Sequence, residues 1–286
     1  MTLSRGLALS TVTASTLVLV ASVFFMRDRS EPFVSPMASL LEPAPVLYGG
    51  RPIKTGELTP SVYIGNCTAT VVGPEVILTA GHCRSSGTSV SFVKDRVKHS
   101  GKCVRHPDYS RNGWLNNDWS LCKVSPRVEL DVYGTISSVA LEVGDEVTMQ
   151  GYGKGSNGKL NVGYAKIKTK NYMDYITKGS VYLGGGDSGG ALFSKITDLV
   201  KGPFPIVGVN SRGGGNQSYF NISSLERSQT FFRDYAKKNS VDICGVNKEC
   251  GEPENVDCPE EFDLVRYFEE ELNRAKDMLY QCTRAL

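Results

Sequence analysis

The chain has 286 residues, of which 40% are hydrophobic and 22% are charged, so it is long enough to bury one large core or two smaller ones. Its formal net charge of +2 is spread without long basic runs, which argues against a nucleic-acid-binding protein. No solenoid-length repeat or low-complexity tract stands out, and we expect a globular protein.

The N-terminus carries an apolar stretch that is typical of an export signal. Residues 6–26 hold no charged side chain, Arg5 precedes them, and charged residues follow at 27–29. The stretch is long for a signal peptide, but its Ser and Thr residues weaken it as a membrane-spanning helix. A cleaved signal peptide over residues 1–26 therefore competes with an uncleaved membrane anchor, and we favour cleavage to a secreted or periplasmic protein. Residues 27–46 contain spaced prolines and predict a linker or propeptide.

An even set of cysteines lies downstream of this signal. Such a set favours disulfides over metal thiolates and indicates an oxidising compartment. We predict neither a metal nor a cofactor. The eight residues are Cys67, Cys83, Cys103, Cys122, Cys244, Cys250, Cys258 and Cys282.

The central part of the chain reads as all-β. Short runs rich in β-branched residues, such as "TATVVG", "EVILTA" and "DEVTMQGYG", alternate with Gly, Asn and Asp turns. Many short strands without βαβ spacing predict an antiparallel barrel or sandwich. Helical spacing of apolar residues in "LERSQTFFRDYAKK" predicts one short helix near the end of this part.

Residues 241–286 differ in composition and predict a Cys-containing helical extension of the preceding domain, residues 47–240. Pro259 suits the first turn of a helix. If that helix is unbroken, Cys258 and Cys282 are about 36 Å apart, far beyond disulfide reach. We expect these two cysteines to bond to Cys244 and Cys250, which would pin the extension.

One segment, "VYLGGGDSGGAL", raises the question of whether Ser188 is a nucleophile. Taken alone, such a glycine-rich stretch is typical of a turn, and its G-x-S-x-G pattern also fits the α/β-hydrolases. Those enzymes place their histidine after the serine, whereas His82, His99 and His106 all precede Ser188. A subtilisin-type order needs an Asp before the histidine, and only Asp28, in the export region, precedes His82. The remaining order is His, Asp, Ser.

Two further residues complete this order in suitable contexts. His82 follows the apolar run of "VILTAGHC", which can fix its ring at a strand end. Asp118 begins another β run in "NNDWSLCKV", where a buried carboxylate can orient the imidazole.

These segments resemble those of the trypsin/chymotrypsin-like serine endopeptidases. "TAGHC" is similar to the histidine box of that family, "HPDYSRNGWLNNDWSL" to its aspartate loop and "GDSGGAL" to its serine box. The resemblance covers about residues 47–240, with support from "LYGG", "TMQGYG" and "IVGVNSRGG". It implies a double antiparallel β-barrel with a C-terminal helix, and a hydrolase that acts on protein or peptide substrates.

The same resemblance assigns roles to the residues of the three boxes. Ser188 would be the nucleophile, His82 the general base, and Asp118 the group that orients it. The N–H groups of Gly186 and Ser188 would form the oxyanion hole, where side chains would block the approach of the substrate.

Activation of a zymogen is also implied. Asp187 would form a buried pair with the α-amine of Leu47 once a propeptide is removed. The preceding residues, "EPAPV", include no basic residue for a trypsin-like activator, so another protease would be needed.

Substrate selection is implied less directly. Tyr182, with Leu183 beside it, would occupy the base of the primary pocket, where an acidic residue would select Lys or Arg. We therefore expect small or medium apolar side chains to be preferred. The other implied contacts are pocket walls at Gly213 and Ser218, substrate-backbone hydrogen bonds at Ser211 and Gly213, and the next subsite at Leu115.

The family resemblance also implies two disulfides, Cys67–Cys83 and Cys103–Cys122. It assigns His106 to the framework, and we expect His99 to lie in a solvated loop. Two alternatives to an active protease are a catalytically silent homologue that serves as a binding module, and an adhesin or inhibitor whose activity lies in residues 241–286. The intact His, Asp and Ser set argues against the first.

Overall fold

The computed structural model describes residues 47–110, 116–153, 156 and 158–250. The apolar N-terminal stretch, the predicted linker and most of the C-terminal extension lie outside these residues, as do Leu115, Cys258 and Cys282. Within the described ranges, no helix is long and apolar enough to cross a membrane.

The first barrel is a six-stranded antiparallel sheet with the order β3-β4-β5-β8-β7-β6. Its interior is filled where alternate residues of a strand point inward: in β6, Val90 and Phe92 are buried between exposed neighbours. The strands are β3 (Ser61–Tyr63), β4 (Thr68–Gly73), β5 (Val76–Thr79), β6 (Ser89–Lys94), β7 (Val97–Arg105) and β8 (Ser120–Ser125).

The second barrel closes on itself. The path β10-β14-β15-β16-β12-β11 is completed by pairing of β10 with β11, which removes the free sheet edges. These strands are β10 (Glu146–Gly151), β11 (Asn161–Lys170), β12 (Asp174–Lys178), β14 (Ala191–Ser194), β15 (Phe204–Gly214) and β16 (Gln217–Ile222).

Four further short strands are present within the described ranges. β2 (Arg51–Pro52) pairs with β11, and β9 (Gly134–Ile136) runs parallel to β15. β1 (Leu47–Tyr48) and β13 (Tyr182–Leu183) form a separate two-stranded ribbon. The all-β prediction and the chymotrypsin-like double barrel are thus confirmed.

Within the described part of the chain, one helix, α1 (Glu226–Asn239), forms where the sequence predicts a helix, and it packs at the junction of the barrels. Its Phe232 is fully buried and meets the ring of Trp119 edge-on, with 5.0 Å between ring centroids. Both rings belong to a core cluster that includes Leu78 of the first barrel and Phe193 of the second. Packing of the helix on Trp119 therefore fixes the position of the preceding residue, Asp118.

The two disulfides implied by the family resemblance are present. Cys67 bonds to Cys83, and Cys103 bonds to Cys122. The second pair lies at directly opposed positions of β7 and β8.

The expectation that Cys244 and Cys250 bond to Cys258 and Cys282 is wrong, because the first two bond to each other. A turn at Gly245, which has a φ of 79°, reverses the chain and brings the two Cα atoms to 5.1 Å, within disulfide range.

The chain remains part of the core after α1. The N–H of Cys244 donates to the carbonyl of Val72 at 2.8 Å, and the carbonyl of Cys244 accepts from Ile136 N–H at 2.8 Å. Ile243 is fully buried, and Thr135 Oγ1 donates to the carbonyl of Cys250. The segment through Cys250 is therefore fixed to the barrels.

The two histidines outside the proposed catalytic set are both buried. His99 points inward from β7, its ring stacks on Phe92, and its Nδ1 lies 2.8 Å from the Pro126 carbonyl. Its assignment to a solvated loop is wrong, because the register of β7 turns this side chain into the barrel. His106 packs against Phe231 and lies 3.3 Å from the Arg227 carbonyl, as suits a framework residue.

The packing of α1 yields a stability prediction. Phe232→Ala removes a fully buried ring and should lower the free energy of unfolding by about 3–5 kcal/mol, measured by urea denaturation. Lys237→Ala, at an exposed position of the same helix, is the control and should stay within about 0.5 kcal/mol of the parent. If Phe232→Ala loses no more unfolding free energy than Lys237→Ala, the helix adds little to the stability of the core.

Candidate active site

His82 and Asp118 are joined by two hydrogen bonds. His82 Nδ1 lies 2.8 Å from Asp118 Oδ2, and the backbone N–H of His82 donates to Oδ1 at 2.7 Å. Asp118 is fully buried. Because an ionised carboxylate only accepts hydrogen bonds, Nδ1 of His82 must carry a proton, which leaves Nε2 of the neutral ring free to accept one.

Strands of the second barrel hold Asp118 from the other side. Ser211 of β15 donates its hydroxyl to Asp118 Oδ2 at 2.6 Å, and Asn221 of β16 accepts the N–H of Asp118 at 2.6 Å. The family resemblance implied only a substrate contact for Ser211 and no part in the catalytic site for Asn221. The aspartate is thus held by residues of both barrels.

Ser188 lies in a tight turn between β13 and β14. Gly186 and Gly189 have φ values of 101° and 85°, a region that favours glycine. A Cβ at position 189 would overlap the Thr79 hydroxyl and the Thr68 carbonyl. The glycines therefore let this turn lie directly against the first barrel.

The backbone of Ser188 is attached close to His82. Its carbonyl accepts the N–H of Thr68 at 2.8 Å and lies 3.7 Å from Sγ of Cys83, the residue that follows His82. Within the described residues, the side chains of Ser188 and His82 share no hydrogen bond. Such bonds are often long without substrate and shorten when substrate binds.

The expected oxyanion donors are available. Neither the N–H of Gly186 nor that of Ser188 donates to another described residue. The carbonyl of Gly186 accepts from Thr68 Oγ1 at 2.9 Å, which anchors this part of the turn. Thr68, a residue that sequence reasoning missed, therefore contacts the turn on both sides of Asp187.

Asp187 is fully buried and incompletely hydrogen-bonded. Its Oδ2 accepts the N–H of Gly184 at 2.9 Å, while Oδ1 makes no hydrogen bond to any described residue. Burial raises the pKa of Asp187 to about 7. Leu47, its expected partner, is buried in β1 opposite Leu183 of β13.

The expected specificity residues lie on two sides of β13. The ring of Tyr182 stacks on that of Tyr48, with centroids 4.4 Å apart. Leu183 is buried and donates its N–H to Ser218 Oγ at 2.8 Å. A Cβ on Gly213 would overlap the Leu183 carbonyl and lie 2.8 Å from its Cβ. Leu183 thus contacts both expected pocket walls, while Leu115 lies outside the described residues.

A comparison with known protein families gives a match to these elements. The family model described as Trypsin matches residues 47–232, which is more than half of the chain. The chain belongs to the trypsin family. The match includes the segments around His82, Asp118 and Ser188. No curated protein matches the chain. Membership gives the chain a trypsin-like serine protease fold, and the family implies protein or peptide substrates.

One group of potential metal ligands lies within the described part of this trypsin-family domain. Donor atoms of Cys67, His82 and Cys83 are within 4.8 Å of one another. Both sulfurs are joined in a disulfide and are not thiolates, the form that binds metal. This group is therefore not a metal site.

Burial of Asp187 predicts a pH-dependent stability of the full-length chain, in which Leu47 has no free α-amine. The pKa of Asp187 is raised from its ordinary 3.8 to about 7, so the folded chain holds this proton more tightly than the unfolded chain. The resulting stabilisation is complete below the lower value and is lost as pH rises through the higher one. Relative to Asp187→Asn, the parent should lose on the order of 4 kcal/mol of unfolding free energy between pH 4 and pH 8.

The measurement is urea denaturation of both proteins across that pH range. Asp131→Asn, which removes a carboxylate at an exposed position, serves as the control and should follow the parent. If the parent and Asp187→Asn keep a constant difference at every pH, Asp187 ionises in the folded chain as easily as in water.

Proposed function

We propose that this trypsin-family chain is a secreted serine endopeptidase that uses Ser188, His82 and Asp118. The observation that carries the proposal is the support of His82. The fully buried carboxylate of Asp118 accepts hydrogen bonds from Nδ1 and from the backbone N–H of His82. Nε2 of His82 is therefore left to take a proton.

The chemistry proceeds in two halves. Ser188 Oγ attacks the peptide carbonyl while His82 Nε2 takes its proton, and the N–H groups of Gly186 and Ser188 bind the oxyanion. The C–N bond then breaks, and His82 gives the proton to the leaving amine, which leaves an acyl-enzyme. Water next attacks the ester carbonyl, His82 takes its proton, and the proton returns to Ser188 as the ester bond breaks.

Processing would complete this site. Oδ1 of Asp187 lacks a hydrogen bond among the described residues, and a buried charge is tolerated when it is paired. Removal of residues 1–46, including the export stretch and propeptide, would free the α-amine of Leu47 as that partner. The charge of Asp187 would then be stabilised beside the oxyanion turn that contains it.

Substrate selection would depend on Leu183. Leu183 lies against Gly213 through its carbonyl and Cβ, and its N–H donates to Ser218, so it adjoins both expected walls. Tyr182 is turned onto Tyr48 instead. We therefore place the limit on side-chain size at Leu183, and expect residues with small apolar side chains on the acyl side of the cleaved bond.

A fluorophosphonate probe tests the catalytic proposal. The secreted, mature protein should be labelled covalently, because the probe reports an activated serine, and Ser188→Ala should abolish the labelling. An unlabelled parent of native fold would instead support the silent homologue. Labelling that survives in Ser188→Ala would show that Ser188 is not the nucleophile.

A peptide library tests the limit set by Leu183. Leu183→Ala should raise kcat/KM for substrates with Leu or Phe before the cleaved bond, relative to Ala, by roughly tenfold or more, since each methylene in an apolar pocket changes discrimination by about that factor. Tyr182→Ala is the control and should keep the parent's preference. The assignment fails if Tyr182→Ala widens the preference and Leu183→Ala, shown to be folded by its melting temperature, does not.

A further inference from the structure

A buried polar chain behind Asp118 is not explained by the three catalytic residues. Asn221 accepts the N–H of Asp118 at 2.6 Å through Oδ1, and its Nδ2 donates to Asp174 Oδ1 at 2.7 Å. Asp174 Oδ2 in turn accepts from Arg212 Nη2 at 2.7 Å. Asn221 and Asp174 are 1% and 2% exposed, so the chain runs through the interior to a partly exposed guanidinium.

The strands fix this chain in register. Asp174 of β12 lies directly opposite Asn221 of β16, and Arg212 of β15 lies opposite Tyr219 of β16. The Arg212 guanidinium lies over the Tyr219 ring, 4.3 Å from its centroid, an arrangement that adds a cation–π attraction. Three adjacent strands of the closed barrel therefore present these side chains side by side.

We infer that Asp174, held by Arg212, is a positioning residue that sets the orientation of the Asn221 amide and thereby the position of Asp118. This inference rests on the proposed catalytic function of Asp118. A carboxylate only accepts hydrogen bonds, so the Asn221 NH₂ group must face Asp174 and its oxygen must face the Asp118 N–H. A neutral asparagine has no such preference of its own.

The backbone before Asp118 explains why the hydrogen bond from its N–H to Asn221 is needed. Asn117 has a φ of 51°, a region that few non-glycine residues adopt, and the N–H of Asp118 follows it directly. The hydrogen bond from this N–H to Asn221 fixes the peptide beyond the strained residue. The carboxylate of Asp118 is then aimed at His82, while Ser211, next to Arg212 in β15, binds its Oδ2.

Substitution of Asp174 by Asn creates a conflict in either orientation. If its NH₂ group faces Arg212, two donors meet there. If it faces Asn221, the Asn221 amide must flip, and its NH₂ group then meets the N–H of Asp118. The exchanged pair, Asp174→Asn with Asn221→Asp, avoids both conflicts, because a carboxylate at 221 accepts from both neighbours and the total charge is unchanged.

The test measures the rate of fluorophosphonate labelling of the mature protein as a function of probe concentration. Asp174→Asn should lower the maximal rate by roughly 10- to 100-fold, as misplacement of a catalytic group does, with little change in the half-saturating probe concentration. The exchanged double variant should recover most of the lost rate. Asp131→Asn, at an exposed position, is the matched control and should label like the parent.

The outcomes separate this inference from the catalytic proposal. An unlabelled parent contradicts the proposed function itself. A labelled parent whose Asp174→Asn variant labels equally fast, or whose folded double variant is as slow as Asp174→Asn, overturns the positioning role. If Asp174→Asn does not fold, as judged by its melting temperature, recovery or failure of the labelling rate in the double variant decides.

Discussion

The structure of the site depends on keeping one carboxylate, that of Asp118, out of water. A buried carboxylate is tolerated only when donors replace its lost hydration, and here the donors come from both barrels. His82 supplies two donors from the first barrel and Ser211 supplies one from the second. The buried carboxylate therefore receives all its hydrogen bonds only when the two barrels associate correctly, and the site cannot form in either barrel alone.

Close backbone contact at the same junction explains the glycines. Gly189 lies against Thr68 and Thr79 of the first barrel, and Gly151 leaves the space that the Asp187 carboxylate occupies. A side chain at either position would separate the turn that carries Ser188 from its support. The glycine-rich motif thus serves packing between the barrels, in addition to its proposed role in the oxyanion hole.

Much of the site is readable from the sequence because the constraints on it are local. Tight turns restrict Gly186 and Gly189 to glycine, and strand ends place His82 and Asp118 beside recognisable runs. Partners set by strand pairing are not readable in this way. Asn221 and Asp174 are opposite each other only through the register of β12 and β16, and nothing in their own neighbourhoods distinguishes them from turn or surface residues.

The errors have the same origin. Burial of His99 follows from the register of β7. The bond between Cys244 and Cys250 follows from a reversal at Gly245. In each case the outcome depends on a contact that forms only in the folded chain, and neither composition nor cysteine count predicts that contact.

Under the maturation proposed above, the β1–β13 ribbon also limits where the activating cut can fall. Leu47 is both the residue whose amine would be freed and the strand partner of Leu183. A cut that leaves extra residues before Leu47 withholds the amine, whereas a cut that removes Leu47 takes away the strand that supports Leu183. If the proposed maturation and substrate selection both hold, the accuracy of the cut determines substrate choice, and a ragged N-terminus would produce enzyme molecules of mixed selectivity.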